Sequence, residues 1–495
     1  MKKSKVVNSL EKIQRGLLFL APLALFFSYH PSFHIGASET MNFEFSIAEL
    51  WLLLFSVFSL INLKKLLGFY RKKLFLLFAF PVYATLSVLW SANRTRGLLT
   101  AGVLFLLVFA GLNIYYYIKT NKEKLPLLKK LLVFSAVLFS IFCWLQCILD
   151  LIGVSRDTTL LCRGCTYLAF GYPHPNGFAI EPQFAGNLLL VPTFIMVYGL
   201  ITNKSLFKNP WQPLLTTFLV STVFLTFSRG AIYALLLGLG IIFFARFPFI
   251  KYNKKKSNIA RTWLIIPITL GSFIFVLGIQ GLFAQISPTS DTFWSGVSKS
   301  IHQLSLGKID FRPVDSTTPV GSTNPVDSTI PVGSTSSVTP TEPADPVTQE
   351  DSTTSSESTF SGYVEESSAF RSQLTRDALD IWNDSPKNLL IGTGLGSAGI
   401  KLLEKDPELG IEKEIVQNEY ASVLLELGLV GFLLAAAAII YMLYDVKLNL
   451  LLGASLVALG FTLFFFGGLP NALHVYLFPI LLTNPTIERP RRHKK

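Results

Sequence analysis

An all-α integral membrane protein of about twelve transmembrane helices, with a long, partly disordered extracytoplasmic loop between helices 9 and 10, is the fold class this sequence predicts. Three observations predict it. Hydrophobic residues fill 51% of the 495 positions and charged residues only 15%, whereas a soluble chain carries about 25% charged residues. The apolar residues fall in runs long enough to cross a bilayer. The basic residues sit in short clusters between those runs, which is the pattern that orients membrane helices.

That clustering excludes nucleic acid as the reason for a net charge of +12, because no basic stripe is gathered on one element. Four cysteines are too few for a disulfide scaffold. Cys143 and Cys147 lie inside an apolar run and read as packing residues. Cys162 and Cys165 form a lone outward CxxC, a poor zinc site, which leaves a local disulfide or two thiols. Lys2, Lys3 and Lys5 precede an apolar run from Gly16 that no small-x-small cleavage site closes, so an uncleaved first span is expected.

A crossing helix needs about 20 mostly apolar residues. Candidates lie near 16–35, 46–62, 74–90, 97–117, 131–152, 178–201, 211–227, 231–247, 262–285, 421–444, 449–467 and 472–485. With both termini inside, the predicted cytoplasmic segments hold 29 of the 43 Lys and Arg residues. The short outer loops hold five (Arg94, Arg96, Arg156, Arg163 and Arg229), and the long loop holds nine. Long loops are exempt from the positive-inside rule, so the charges support this topology.

The chain then divides into a membrane domain of nine helices (1–285), a spacer (286–367), a folded loop segment (368–420), and the last three helices with a basic tail (421–495). Within the spacer, PVDSTTPVGSTN at 313 is followed by PVDSTIPVGSTS, and no Lys or Arg occurs between Arg312 and Arg371. A Ser/Thr/Pro-rich acidic stretch cannot bury enough apolar surface to offset its ordering entropy, so disorder is expected there. In the folded segment Phe370, Leu374, Leu379, Ile381 and Trp382 make a helical stripe that Ser385-Pro386 ends. A glycine-rich turn, GTGLGS, follows at 392–397. Two short helices docked on the outer membrane face fit this pattern.

Several residues could carry chemistry, each with a plainer alternative. Arg229, in TFSRGAIYA, is either a ligand-facing cation or an anchor ending the seventh helix. Arg371 either joins it to grip a phosphate with forked donors or pairs with Glu365 or Glu366. Gln417, Asn418, Glu419 and Tyr420 stand where the loop re-enters the membrane and either cap a helix or line a chamber. Glu181 is an intramembrane or interfacial carboxylate. His174, in YPHPNG, is a turn residue or a proton acceptor. No metal cluster, P-loop or serine triad is present, and GTGLG lacks the βαβ context of a dinucleotide site.

The order of these motifs resembles the O-antigen ligase and polymerase superfamily of bacterial polysaccharide-assembly proteins. Phe227-Ser228-Arg229-Gly230-Ala231 is similar to its outer SRGA motif. Arg371, Ala378-Leu379, Pro386 and Gly392, Gly394 and Gly396 follow its loop pattern. Gln417-Asn418-Glu419-Tyr420 stands where the family has His-Asn-x-Tyr, ahead of Glu426-Leu427-Gly428 and Gly431-Phe432. The resemblance covers roughly residues 229–432.

The resemblance implies metal- and cofactor-free glycosyl transfer at the outer face of the bacterial cytoplasmic membrane. An undecaprenyl-pyrophosphate-linked glycan is the donor. The acceptor is lipid A core for a ligase, or another lipid-linked glycan for a polymerase. Arg229 and Arg371 would bind the pyrophosphate, with Glu181, Gln417 and Glu419 catalytic and Asn418, Tyr420 and His174 supporting. An amide at 417 cannot act as the base that the family assigns to histidine. Glu419, Glu181, His174 or the leaving phosphate would then take the proton. A lipid-linked oligosaccharide flippase is the alternative, but it should show pseudo-repeats and interrupted helices in corresponding halves, and this chain shows no such symmetry. A membrane scaffold using the acidic spacer is a third reading.

Overall fold

A computed structural model describes residues 5–35, 43–70, 74–152, 166–167, 173–203, 205–207, 210–246, 261–286, 292–305, 358–407, 416–446, 448–467 and 472–483. They are almost entirely helical. The first half runs α1 (Lys5–Ala24), β1 (Ser32–Ile35), β2 (Phe43–Ser46), α2 (Ile47–Ser59), α3 (Leu63–Tyr70), α4 (Leu74–Ser87), α5 (Arg94–Thr120) and α6 (Leu125–Leu151). A short pair, β3 (Thr166–Tyr167) and β4 (His174–Pro175), leads into α7 (Pro182–Thr202), α8 (Trp211–Leu225), α9 (Arg229–Phe244) and α10 (Ile265–Ile286). Beyond it lie α11 (Phe293–Leu304), α12 (Ser358–Asn383), α13 (Pro386–Ile391), α14 (Ala398–Lys405), α15 (Glu419–Asp445), α16 (Leu450–Thr462) and α17 (Leu473–Leu477).

Among the described residues, six helices are long and apolar enough to cross a membrane, and five shorter ones are comparably apolar. The chain is a multi-pass membrane protein. The helix α7 differs from the other long spans. Its apolar window is 89% buried, against 22–50% for the rest. Apolar residues occupy all its sides, and a helix hydrophobic all round belongs in the centre of a bundle. Around it pack α6, α8, α9 and α16. Gly186 lets α9 approach closely, since a Cβ there would lie 2.5 Å from the Cβ of Ala231. Small residues at such a crossing are what allow two backbones to meet without lipid between them.

The first helix departs from expectation. It covers Lys5–Ala24 rather than 16–35, and beyond it two paired strands, Ser32–Ile35 and Phe43–Ser46, precede α2. The polar start is held by tertiary contacts: Gln14 bonds to both Ser59 and Asn62. Those bonds satisfy a turn that hydropathy alone would leave outside a span. Cys143 and Cys147 are fully buried, as expected of packing residues, and Cys162 and Cys165 lie outside the described residues.

The loop also departs from expectation. Helix α11 lies inside the stretch expected as spacer, and α12 begins at Ser358, before its expected end. Both helices have tertiary neighbours, α11 against α10 and α12 against α15, which composition does not register. The repeat at 313–336 lies outside the described residues. Of the predicted stripe on α12, Leu374 is buried and Ile381 partly so, but Phe370 and Leu379 are 39% and 37% exposed. Ala378 takes the buried position between them. Three helices rather than two dock here, because Ser385 caps a new helix instead of only ending the old one.

The glycine-rich turn is what fastens this loop to the membrane domain. Gly392, Gly394 and Gly396 all have φ between +74° and +97°, a region that side-chain-bearing residues avoid. The Thr393 and Gly394 amides donate to the carbonyls of Leu425 and Glu426, just before Gly428 breaks the regularity of α15 with a φ of +62°. On the other side the Leu395 amide donates to Ser87 Oγ at 3.1 Å. Leu395 itself is buried with Ala84, Val88, Ala101 and Leu427. The turn is therefore a packing knot among α4, α5 and α15.

Candidate functional site

The start of α7 meets Arg371 of α12. At the start of α7, Glu181 is the residue before the helix, with Pro182 opening it. Arg371 Nη2 lies 3.7 Å from Glu181 Oε2. Arg371 Nη1 donates to Gln183 Oε1 at 3.2 Å. The pair with Glu181 is only half-buried, so its attraction is screened and modest. The sequence separation is nearly two hundred residues, yet both contacts come from one helical turn.

The geometry of Gln183 follows from chemistry. A guanidinium only donates, so the atom it bonds must be the amide oxygen. The amide nitrogen then faces the other way, toward α9. It lies 2.9 Å from where a Cβ at position 230 would stand. Glycine at 230 thus clears space for the amide, and the Gly of the SRG motif has a local steric reason. Gln183 is 7% exposed, and its Nε2 has no hydrogen-bond partner among the described residues.

Arg229 opens α9, with Ser228 as its N-cap accepting from Ala231 N. A cation at a helix N-terminus opposes the positive end of the helix dipole, so nothing in the helix itself favours arginine there. Arg229 and Arg371 are close enough for their charges to repel. Arg229 Nη1 is buried without a hydrogen-bond partner among the described residues. Two guanidiniums and the amino ends of α7 and α9 therefore gather positive potential opposite the single carboxylate of Glu181. Such a place attracts an anion of more than one charge.

His174 sits behind this site rather than in it. It is buried, and its ring stacks on Phe227 with centroids 5.2 Å apart. Phe227 has φ +46°, an uncommon conformation for a bulky residue, and immediately precedes Ser228 and Arg229. Burial pushes the imidazole down to about 4. The turn reading of His174 is thus favoured by its packing. The adjoining Gly177, at φ +60°, exchanges hydrogen bonds with the Gln146 side chain.

The four residues at the loop's re-entry separate into different tasks. Asn418 caps α15, its Oδ1 accepting from the amides of Tyr420 and Ala421. Tyr420 donates to the Gly460 carbonyl at 2.7 Å. Glu419 is buried, accepts from Tyr476 Oη at 3.4 Å, and its own amide donates to the Leu463 carbonyl. Gln417 is half-buried at the bend before them. These contacts run to the carboxyl end of α16, whose following residues touch the arginine side: Phe465 packs at Gly230, and Phe466 on Phe184. The structure brings Arg229, Arg371 and Glu181 together, and connects Glu419 to them through residues 463–466.

Gln183 is the residue that sequence reasoning passed over. It lies in GFAIEPQFAGN beside Glu181, but an uncharged amide at a helix start carries no signal until its partner is known. Among the described residues no three His, Cys, Asp or Glu side chains group as a metal site.

Residues 214–436 match the family model described as O-antigen ligase. The matched stretch includes Arg229, Arg371 and residues 417–420, while Glu181, Gln183 and His174 precede it. Neither a curated protein nor a solved structure matches the chain.

Proposed function

Through residues 214–436 the chain belongs to the O-antigen ligase and polymerase superfamily, and from that premise we propose that it transfers a glycan from an undecaprenyl-pyrophosphate carrier to an acceptor hydroxyl. The reaction takes place at the outer face of a bacterial cytoplasmic membrane, from a topology of about twelve spans with both termini inside. The observation that carries this reading is the meeting of two arginines whose charges repel, Arg229 at the start of α9 and Arg371 on α12, the latter bonded to Gln183 of α7.

Pyrophosphate is a good leaving group, so the protein's main task is to stabilise the negative charge that grows as the bond breaks. Arg229 and Arg371 supply forked donors to that charge, and Gln183 Nε2 lies beside them. The acceptor oxygen attacks the anomeric carbon, the bond from that carbon to the pyrophosphate oxygen breaks, and the acceptor's proton must leave. Glu181 is the carboxylate beside the arginines, and it takes the proton in this proposal. Its pairing with Arg371 yields when pyrophosphate arrives. Glu419, buried and bonded to Tyr476, supports the site from α15. Gln417 cannot accept a proton, and its amide is suited to holding a sugar hydroxyl.

The test is an in vitro assay with purified protein and lipid-linked oligosaccharide, scoring chain growth against transfer to lipid A core. Growth assigns a polymerase and core transfer a ligase. Neither product, with carrier-linked glycan merely crossing the membrane, would overturn the proposal. Glu181→Gln should lower the chemical step while leaving donor binding in place; unchanged turnover would remove Glu181 as proton acceptor.

A further inference from the structure

A cavity lies away from the arginines. It is an open groove of roughly 620 Å3 between residues 90–92, which join α4 to α5, and the outward face of α12, α13 and α14. Asp380 lines it, nine residues after Arg371 on the same helix. Nine residues turn a helix through about 900°, so the two point to opposite sides, about 13 Å apart along the axis. The glycine knot holds the groove's two walls together, with Leu395 N on Ser87 Oγ and Gly394 tight against Ser91.

The lining is chemically unlike the arginine site. Asp380, Asp384 and Glu404 are matched in number by Lys387, Lys401 and Lys405. Several are already paired, Lys405 with Asp380 at 2.8 Å and Lys401 with Glu404. A lining with no surplus charge has no preference for phosphate. It suits a neutral ligand rich in hydroxyls, which needs both acceptors and donors. Asn388 contributes an acceptor: its Nδ2 donates to the Ile381 carbonyl, so its Oδ1 is the atom left for others. Trp90 forms part of the wall, half-buried with its indole nitrogen covered. What it offers is therefore the ring, an apolar face on which the C–H side of a sugar packs.

We propose that this groove binds the non-reacting sugars of a neutral oligosaccharide, away from the pyrophosphate end. The proposal rests on the glycan-transfer reading above for its occupant, and on the groove's own lining for its chemistry. Since α12 stands between groove and arginines, a single sugar cannot fill both. A chain of several sugars is needed, so the groove favours long glycans over short ones.

The experiment uses full-length protein in phosphatidylcholine nanodiscs. The probe is a ladder of neutral, lipid-free and phosphate-free oligosaccharides, released by mild acid from the surface glycan of the cell that makes the protein. Binding is followed by saturation-transfer NMR. The expected result is binding that tightens with chain length and weakens about tenfold in Trp90→Ala, the scale of one lost aromatic contact. Trp90→Phe should keep most of it, which separates a lost ring from a misfolded wall. Arg229→Ala should bind the probe as wild type does. Wild-type protein that binds none of the ladder, or Trp90→Ala that binds as wild type, overturns the groove. So does displacement of the probe by glycerophosphoethanolamine, which would make this a lipid-headgroup seam. Probe binding without transfer activity would sink the function above and leave the groove standing. Transfer without probe binding would do the reverse.

Discussion

Arg371 donates to Gln183 Oε1 at 3.2 Å, and that bond turns the amide nitrogen of Gln183 toward Gly230, beside Arg229. One neutral side chain therefore orients one arginine and faces the other. Gln183→Leu keeps the volume but removes both polar atoms. Donor utilisation should fall roughly tenfold to a hundredfold, the usual scale for a hydrogen bond to a charged group. Gln183→Glu should also impair it, because a second carboxylate would neutralise the anion site. Wild-type kcat/KM in both variants would show that the bond is incidental.

The arginines themselves make a sharper case. Arg229→Ala and Arg371→Ala should each abolish glycan transfer, while size-exclusion profiles in detergent stay those of the wild type. Lysine at either position should recover only part, since an ammonium is a point charge without the forked geometry. Full activity in either alanine variant removes the pyrophosphate clamp.

At Gly392 a Cβ would stand 2.4 Å from the Glu426 carbonyl group, and φ is +74°. Gly392→Ala should therefore destabilise the docked loop by about 2 kcal/mol or more. Limited proteolysis should then cut within 386–407 faster than in wild type. Gly271→Ala, where nothing lies within 4 Å, is the control and should be neutral. Equal protection of both variants would contradict the packing role.

His174 predicts a pH dependence of stability. Burial holds its imidazole at about 4, below the ordinary 6.5. As pH falls, the unfolded chain binds this proton before the folded one does. Stability is therefore unaffected above pH 6.5, declines from there down to about 4, and loses nothing further from this group below that. The thermal midpoint of wild type should fall more steeply across that window than that of His174→Phe. Parallel curves would show that His174 is not the group responsible.

Deleting residues 313–350 should leave transfer within about twofold of wild type, because loop length changes closure entropy only slowly. The deletion spares both flanking helices, Phe293–Leu304 and Ser358–Asn383. A well-expressed but inactive deletion would mean the segment does more than connect.

Much of the helical membrane architecture was legible in the sequence. Apolar run length and the placement of Lys and Arg are local properties, and both report directly on a bilayer. The run at 178–201 was visible as a span, and hydropathy with charge placement made Arg229 and Arg371 expected outward cations. The start of α1, the helix Phe293–Leu304 and the true buried face of α12 were not visible. Gln14 bonded to Ser59, and Ala378 buried where Leu379 was expected, depend on neighbours far along the chain.

The opening pair shows the division most clearly. Sequence by itself determined that a polytopic membrane chain presents two arginines on one side, because charge and hydropathy are written residue by residue. Only the tertiary structure decided that Arg371 meets Glu181 and Gln183 and faces Arg229, and that GTGLG is a clasp rather than a ligand loop. Those relationships exist because α7 is buried on every side and small residues let α9 close against it. Close packing over long sequence separations is a property of the assembled bundle, and no window of the chain contains it.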